Sequence, residues 1–296
     1  MIRVHSAAMA VMRSPPTSLI TLIAMVAFAA NSLLCRAALR DTDIDAGSFT
    51  AVRIASGALA LWLIVFLRSK NAPEPQGAGS WLSGLALFVY AAAFSFAYLE
   101  LASGTGALLL FGAVQATMIG VGLLRGERFG AAQSSGLAIA GVGLIALLLP
   151  GLSAPPLRSA LLMLLSGMAW GMYSLRGKGA GDPTRVTAGN FARATVPALV
   201  LGVAIAYGGT ATWDRSGIVY AVASGALTSG VGYAIWYVAV RSLRATTAAT
   251  VQLCVPVIAA LGGTLFLGEP VTARLVLASI AILGGIALVT LRKPVA

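Results

Sequence analysis

Apolar runs follow one another along nearly the whole chain, and charges and Gly/Pro clusters cut them into ten. Each is close to the roughly 20 residues that carry a helix across a hydrocarbon core. The expected spans are 17–36, 48–67, 81–101, 105–124, 131–149, 159–176, 191–208, 217–239, 246–266 and 273–291. The polar stretches between them are short. The longest are Ser69 to Ser80, with Pro73 and Pro75, and Gly177 to Val186, with Gly179, Gly181 and Pro183; their helix breakers mark them as loops. The pattern predicts an all-α integral membrane protein with no room for a soluble domain.

The pattern also repeats. Ala27-Phe-Ala-Ala-Asn-Ser-Leu33 returns as Ala169-Trp-Gly-Met-Tyr-Ser-Leu175 at an offset of 142, and the same offset carries Gly126-Glu127 onto Gly268-Glu269 and Gly143 onto Gly285. Tyr98-Leu-Glu-Leu-Ala-Ser103 resembles Tyr237-Val-Ala-Val-Arg-Ser242 at an offset of 139. In the second helix the register stays open: 142 pairs Phe49 with Phe191, whereas 140 pairs Arg53 with Arg193. Two similar units are expected, 1–150 and 151–296, with five spans each. Because five is odd, the second unit enters the bilayer upside down, which makes a 5+5 inverted repeat.

Composition agrees. The chain is 58% hydrophobic and 10% charged, with mean hydropathy +0.91, whereas about a quarter of the residues of a soluble domain are charged. A net charge of +11 could point to nucleic acid. The basic residues, however, sit singly or in pairs between apolar runs and form no stripe, so no nucleic-acid partner is expected. They read as topology signals: 14 lie on the side that holds both termini and 6 on the other, which predicts cytoplasmic termini. The apolar run from Thr17 continues past Ala30 and belongs to the repeat, so it is expected to be an uncleaved first helix and not a signal peptide. Cys35 and Cys254 have no cysteine neighbour and read as inert core residues, so neither a metal site nor a disulfide follows. No H-E-x-x-H, G-x-S-x-G or G-K-[ST] motif occurs. The expectation is a protein that is not an enzyme, has no cofactor and does not use ATP directly.

An inverted repeat lets one arrangement open a central site to one face of the membrane and its near mirror image open it to the other, which is the geometry of alternating access. The site should lie between the halves, and polar or aromatic side chains inside spans are the candidates to line it. Helix 1 offers Phe28, Asn31 and Ser32. Helix 3 offers Tyr90, Phe94 and Tyr98, spaced by four and so on one face. Helix 4 adds Gln115, helix 6 Trp170, Tyr173 and Ser174, helix 8 Tyr233, Trp236 and Tyr237, and helix 9 Gln252. Asn31 and Tyr173 are equivalents across the repeat, as are Ser32 and Ser174. Tyr98 could instead belong to an interfacial aromatic belt, and the two serines could be packing residues, like Gly167 and Gly171. Aromatic walls with amides and no buried charge suit a neutral or zwitterionic small molecule with an apolar or aromatic body.

Glu100, at the end of helix 3, is the one acid inside an expected span. It reads as an interfacial carboxylate, with ion coupling as the alternative. Glu127 and Glu269 precede helices 5 and 10, where a carboxylate favours a helix N-terminus. Arg53 and Arg193 start helices 2 and 7 and are expected to snorkel, unless one meets a substrate carboxylate at a cavity mouth. Pro256 in helix 9 and Gly112 in helix 4 are candidate hinges, with kinks used only for packing as the alternative.

The 5+5 duplication, the Gly-Glu before the last helix of each half and the aromatic-rich first helix of each resemble the EamA-type proteins of the drug/metabolite transporter superfamily. Within it, the chain is most similar to the YddG-like exporters of aromatic and other neutral amino acids. The resemblance implies helices 1, 3, 4, 6, 8 and 9 around a central cavity, 2 and 7 nearby, and 5 and 10 peripheral. It also implies export and a bacterial-type cytoplasmic (inner) membrane. An exporter of another small metabolite or drug is the nearest alternative; a membrane-embedded enzyme or a scaffold is more remote. A complete two-half transporter can work as a monomer, with a dimer as the alternative.

Overall fold

The computed structural model describes residues 17–68, 79–126, 128–151, 153–177, 182–243, 248 and 250–291. They form α1 (Thr17–Asp41), α2 (Ala46–Arg68), α3 (Trp81–Ala97), α4 (Ser103–Leu124), α5 (Ala131–Leu148), α6 (Leu157–Gly177) and α7 (Pro183–Tyr207). The eighth helix, α8, has three parts: Arg215–Val222 is α-helical, Ala223–Val231 is π-helical and Gly232–Arg241 is α-helical again. After it come α9 (Cys254–Leu267) and α10 (Ala273–Leu291). The described residues include no strand. Helices α1, α2, α4, α5, α7, α8 and α10 are long and apolar enough to span a membrane, α3 and α9 are shorter apolar helices, and α6 has 21 residues. The fold is an all-helical, multi-pass membrane bundle.

Most helix limits fall near the expected ones, and the exceptions have local causes. Helix α7 starts at Pro183, ahead of the expected 191, because Asp182 caps it by accepting from Thr184 N and a proline occupies its first turn. Its polar opening is not a loop: Thr184, Thr187 and Asn190 are buried inside the bundle. Helix α3 stops at Ala97, and 98–101 form a turn. The ninth helix was expected to be continuous over 246–266. Residues 252 and 253 instead form a turn, with Val255 N donating to Gln252 O at 3.1 Å. Pro256 has no N–H to donate to that carbonyl, so the ladder breaks there and α9 restarts at Cys254.

The helices pack mainly across the two halves of the chain. The contacting pairs include α3 with α6 and α1 with α8, α4 with α6 and α1 with α9, and α3 with α7 and α2 with α8. Replacing each helix of a pair by the one five places on exchanges the two pairs in each set. The remaining principal pairs, α2 with α7, α4 with α9 and α5 with α10, map onto themselves. Large apolar side chains such as Leu124, Val200, Leu265 and Leu277 are exposed around the outside, where lipid would cover them, while Asn31, Arg53, Gln115 and Ser224 are buried. Polar residues inside and apolar residues outside are what a hydrocarbon solvent selects.

Small residues permit the closest crossings. At the α5–α10 contact a Cβ added at Gly136 would lie 2.6 Å from Gly285 O, and one at Gly285 would meet Gly136 O and lie 2.8 Å from Ala140 N. Outside the membrane, Asp45 joins two connections. Its Oδ1 accepts from Gly47 N and Ser48 N at the start of α2, and its Oδ2 accepts from Thr212 N at 3.0 Å. Burial pushes the Asp45 carboxyl up, but hydrogen bonds from Ser48, Thr212 and Gly47 outweigh that and hold it below the usual carboxylate range.

Gly285→Leu is expected to separate α5 from α10 and to destabilise the protein by about 1–3 kcal/mol, read as a lower melting temperature in detergent. For Asp45, the depressed folded value means that its stabilisation is fully present above the unfolded pKa of about 3.9 and is lost as pH falls through the folded value. The stability difference between wild type and Asp45→Asn should therefore be constant from pH 7 to 5 and shrink only below about pH 4, which denaturation at a series of pH values would measure.

Candidate functional site

Helices from both halves meet at a small cavity lined by Phe28 and Asn31 of α1, Tyr90 and Phe94 of α3, Leu110 and Phe111 of α4, Trp170 of α6 and Tyr233 of α8. The aromatic rings form a connected wall. Trp170 lies 4.9 Å from both Tyr90 and Tyr233, centroid to centroid. Phe94 tilts against Tyr90 at 5.6 Å, and Phe28 stands edge-on to Tyr233 at 5.8 Å. Free space is only about 20 Å³, enough for one or two waters. A larger solute requires side chains or helices to move apart.

Behind the aromatic wall lies a polar core. Asn31 Nδ2 donates to the Tyr90 hydroxyl at 3.3 Å, and Asn31 Oδ1 accepts from Ser224 Oγ at 2.7 Å and from Thr228 Oγ1 at 3.2 Å. Both donors lie in the π-helical part of α8, whose wider turn holds them beside α1; such segments are frequent at functional sites. Gly225 in the same segment packs directly on the Arg53 carbonyl and Ser56 of α2, where any side chain would collide. Tyr90 is fixed further by its own carbonyl, which accepts from Ser166 Oγ at 2.9 Å.

Arg53 departs from the sequence expectation. It neither starts its helix nor snorkels: α2 begins at Ala46, which places Arg53 about two turns inside, and it is 2% exposed. Its Nη2 donates to the Tyr90 hydroxyl at 3.1 Å. Its Cζ lies 4.7 Å from the Phe94 ring centroid and 5.3 Å from that of Tyr90. The bundle core therefore holds a buried charge, against the expectation of none. Asp45, a potential helix cap eight residues ahead of Arg53, is the signal that could have placed Arg53 deeper. Arg193, by contrast, is half-buried; it donates to Gly189 O at 2.9 Å and lies 5.9 Å from the Trp81 ring centroid.

Of the residues singled out from sequence, Phe28, Asn31, Tyr90, Phe94, Trp170 and Tyr233 converge on the cavity. Tyr173 stacks on Trp170 at 5.3 Å, its hydroxyl accepting from Asn190 Nδ2, and Trp236 packs on Phe28 at 5.8 Å. These two form a second layer. Tyr98 is fully buried, edge-on to Phe94, and its hydroxyl donates to Ser103 O at 3.2 Å, so it is no interfacial belt residue. Ser32 and Gln115 are buried without lining the cavity. Ser174 Oγ donates to Trp170 O within α6, and the half-buried Tyr237 has its hydroxyl near Gly177. Gln252 sits on the turn before α9 and donates to Ala248 O at 3.2 Å. Of the hinge candidates, Gly112 lies inside α4 and Pro256 is buried near the start of α9. Sequence reasoning did not single out Leu110, Phe111, Ser224 or Thr228; the last two carry no signal apart from lying in a stretch rich in small residues.

Of the three acids singled out, Glu100 and Glu269 lie away from the cavity. Glu100 is exposed on the turn after α3 and accepts from Ser159 Oγ at the start of α6. Glu269 does not serve α10. Its Oε2 accepts from Ser103 N at 2.8 Å, capping α4, and its Oε1 accepts from Arg36 Nε at 3.2 Å. Arg36 Nη1 in turn donates to Tyr98 O and Leu99 O. Glu269 thereby ties α1 and α4 of the first half to the α9–α10 connection. Glu127 lies outside the described residues.

Asn31→Ala would leave the Ser224 hydroxyl without its acceptor, while Thr228 keeps its bond to Ser224 O and Tyr90 its bond from Arg53. It is expected to cost about 1–3 kcal/mol, read as a lower melting temperature, whereas Ser174→Ala, which removes only a hydrogen bond within α6, should shift it far less.

Comparison with known proteins places this geometry. Residues 157–291, which comprise α6 to α10, match the EamA-like transporter family. The chain is 58% identical over 273 residues, 92% of its length and 94% of the relative's, to an uncharacterized protein, PA1977, of Pseudomonas aeruginosa. It is 29% identical over 150 residues to the threonine/homoserine exporter RhtA of Salmonella typhimurium, an alignment that spans half of either chain. A crystal structure of another protein, 18% identical, superposes with a TM-score of 0.64 over 93% of this chain and 97% of that one, which shows a shared fold. This chain is a multi-pass membrane protein that carries an EamA-like transporter domain over residues 157–291.

Proposed function

We propose that the protein exports neutral amino acids from the cytoplasm by alternating access through the central cavity, in a bacterial-type cytoplasmic membrane with both termini on the cytoplasmic side. The observation that carries this reading is the cavity itself: a buried aromatic wall around an amide, built where α1, α3 and α4 meet α6 and α8. Those helices come from the two proposed repeat units, 1–150 and 151–296, and the exchange of packing partners between the units supports two related states of one bundle. Aromatic faces suit an aliphatic or aromatic body, and Asn31 supplies a donor and an acceptor for polar groups. The partial match to a threonine/homoserine exporter supports the amino-acid class and the outward direction. With its cavity nearly filled, the present conformation corresponds to a closed stage of the cycle.

Liposomes holding purified protein and loaded with unlabelled amino acid test the reading. Radiolabelled threonine or tryptophan is expected to enter by saturable exchange, and unlabelled neutral amino acids should compete. Trp170→Ala, which removes the ring shared by Tyr90 and Tyr233, should reduce exchange at least about tenfold if substrate packs there. Should no amino acid exchange or compete while an unrelated drug does, the substrate class is overturned and the transporter domain stands.

A further inference from the structure

Burying a guanidinium costs several kcal/mol unless an anion and hydrogen bonds compensate. Arg53 is 2% exposed. Its Nη1 has no hydrogen-bond partner among the described residues. The ion pairs found there join Arg36 to Glu269, Arg40 to Asp41 and Arg185 to Asp182, so Arg53 has no carboxylate partner among them. The rings of Tyr90 and Phe94 offer cation–π contact, which offsets part of the desolvation only. The bundle core thus keeps a cation against two residues that line the cavity, with no counter-ion to it among the described residues.

The surrounding donors indicate what is missing. Arg53 Nη2 and Asn31 Nδ2 both point at one oxygen, the Tyr90 hydroxyl, at 3.1 and 3.3 Å. Two converging donors, one of them charged, make a site for an anionic oxygen, and the free Nη1 can take a second.

We propose that Arg53 anchors the α-carboxylate of the transported amino acid, with one carboxylate oxygen taking the place between Arg53 and Asn31 that the Tyr90 hydroxyl now fills. This rests on the amino-acid reading above and names the group that the site recognises. One guanidinium matches a single negative charge, which favours a carboxylate over a phosphate dianion. Anchoring there leaves the ammonium group to face the rings of Trp170 and Tyr233, where a cation is attracted. Substrate entry requires the Tyr90 ring to swing aside. Until it does, its hydroxyl occupies the donors.

The test compares, in the exchange assay, an amino acid with its amino alcohol, in which the carboxylate is reduced to a hydroxymethyl group, on wild type, Arg53→Gln and Arg53→Lys. Wild type should prefer threonine to threoninol as competitor by at least about tenfold. Arg53→Gln should lose that preference by weakening threonine and not threoninol, and Arg53→Lys should retain part of it. Equal competition by acid and alcohol on wild type overturns the anchor and needs no variant to fold. So does an Arg53→Gln protein that is monodisperse and still discriminates. If wild type exchanges no amino acid at all, the amino-acid reading falls and the anchor with it, whereas exchange without discrimination removes the anchor alone.

Discussion

Hydrocarbon offers no hydrogen bonds, so every polar group drawn into this bundle has to be satisfied by another part of the chain. The rest of the structure depends on that constraint. Asn31 reaches three side chains on α3 and α8, and Arg53 reaches the same Tyr90 hydroxyl. The aromatic wall is held in place by this core: Tyr90 is bonded through both its hydroxyl and its carbonyl, and Trp170, Phe94 and Tyr233 pack around it. Among the described residues five buried side-chain polar atoms are left without a partner, Oγ of Ser32, Ser48, Ser103 and Ser229 and Nη1 of Arg53, and only the last belongs to a charged group.

The same constraint explains the π-helical segment. An uninterrupted α-helix over 215–241 would present a different set of side chains to α1. The wider turn at Ala223–Val231 brings Ser224 and Thr228 onto one oxygen of Asn31 and lets Gly225 sit against the backbone of α2. Small residues make this affordable, since they leave room for neighbouring helices to approach. Pro256, near the start of α9, ends one helical stretch and starts another.

Glu269 shows how a recurring dipeptide does its structural work at a distance. In sequence it looks like a cap for the helix that follows. In the fold, the left-handed Gly268 at the end of α9, φ +64°, turns the chain so that Glu269 reaches back to the N-terminus of α4 and to Arg36. The contact crosses from one half of the chain to the other, so it fixes how the halves sit at that end of the bundle.

Much of the fold was legible in the residues. A span needs a certain number of apolar residues whatever it packs against, so hydropathy located ten helices and missed chiefly where a polar segment is helical, as at Thr184 to Asn190, or where a proline breaks the ladder. The internal repeat is a property of sequence too, and it pointed to Asn31, Trp170 and the tyrosines because amides and aromatic hydroxyls in a span need partners. Tertiary structure alone decided which of these meet. Helical periodicity states which side of a helix a residue occupies and not which neighbour that side faces, so Phe28, Tyr90, Trp170 and Tyr233 converge while Gln252 and Ser174 do not. It also decided the burial of Arg53: the cost of a charge depends on its depth in the assembled bundle, and depth is set by neighbouring helices that a single run of sequence does not contain.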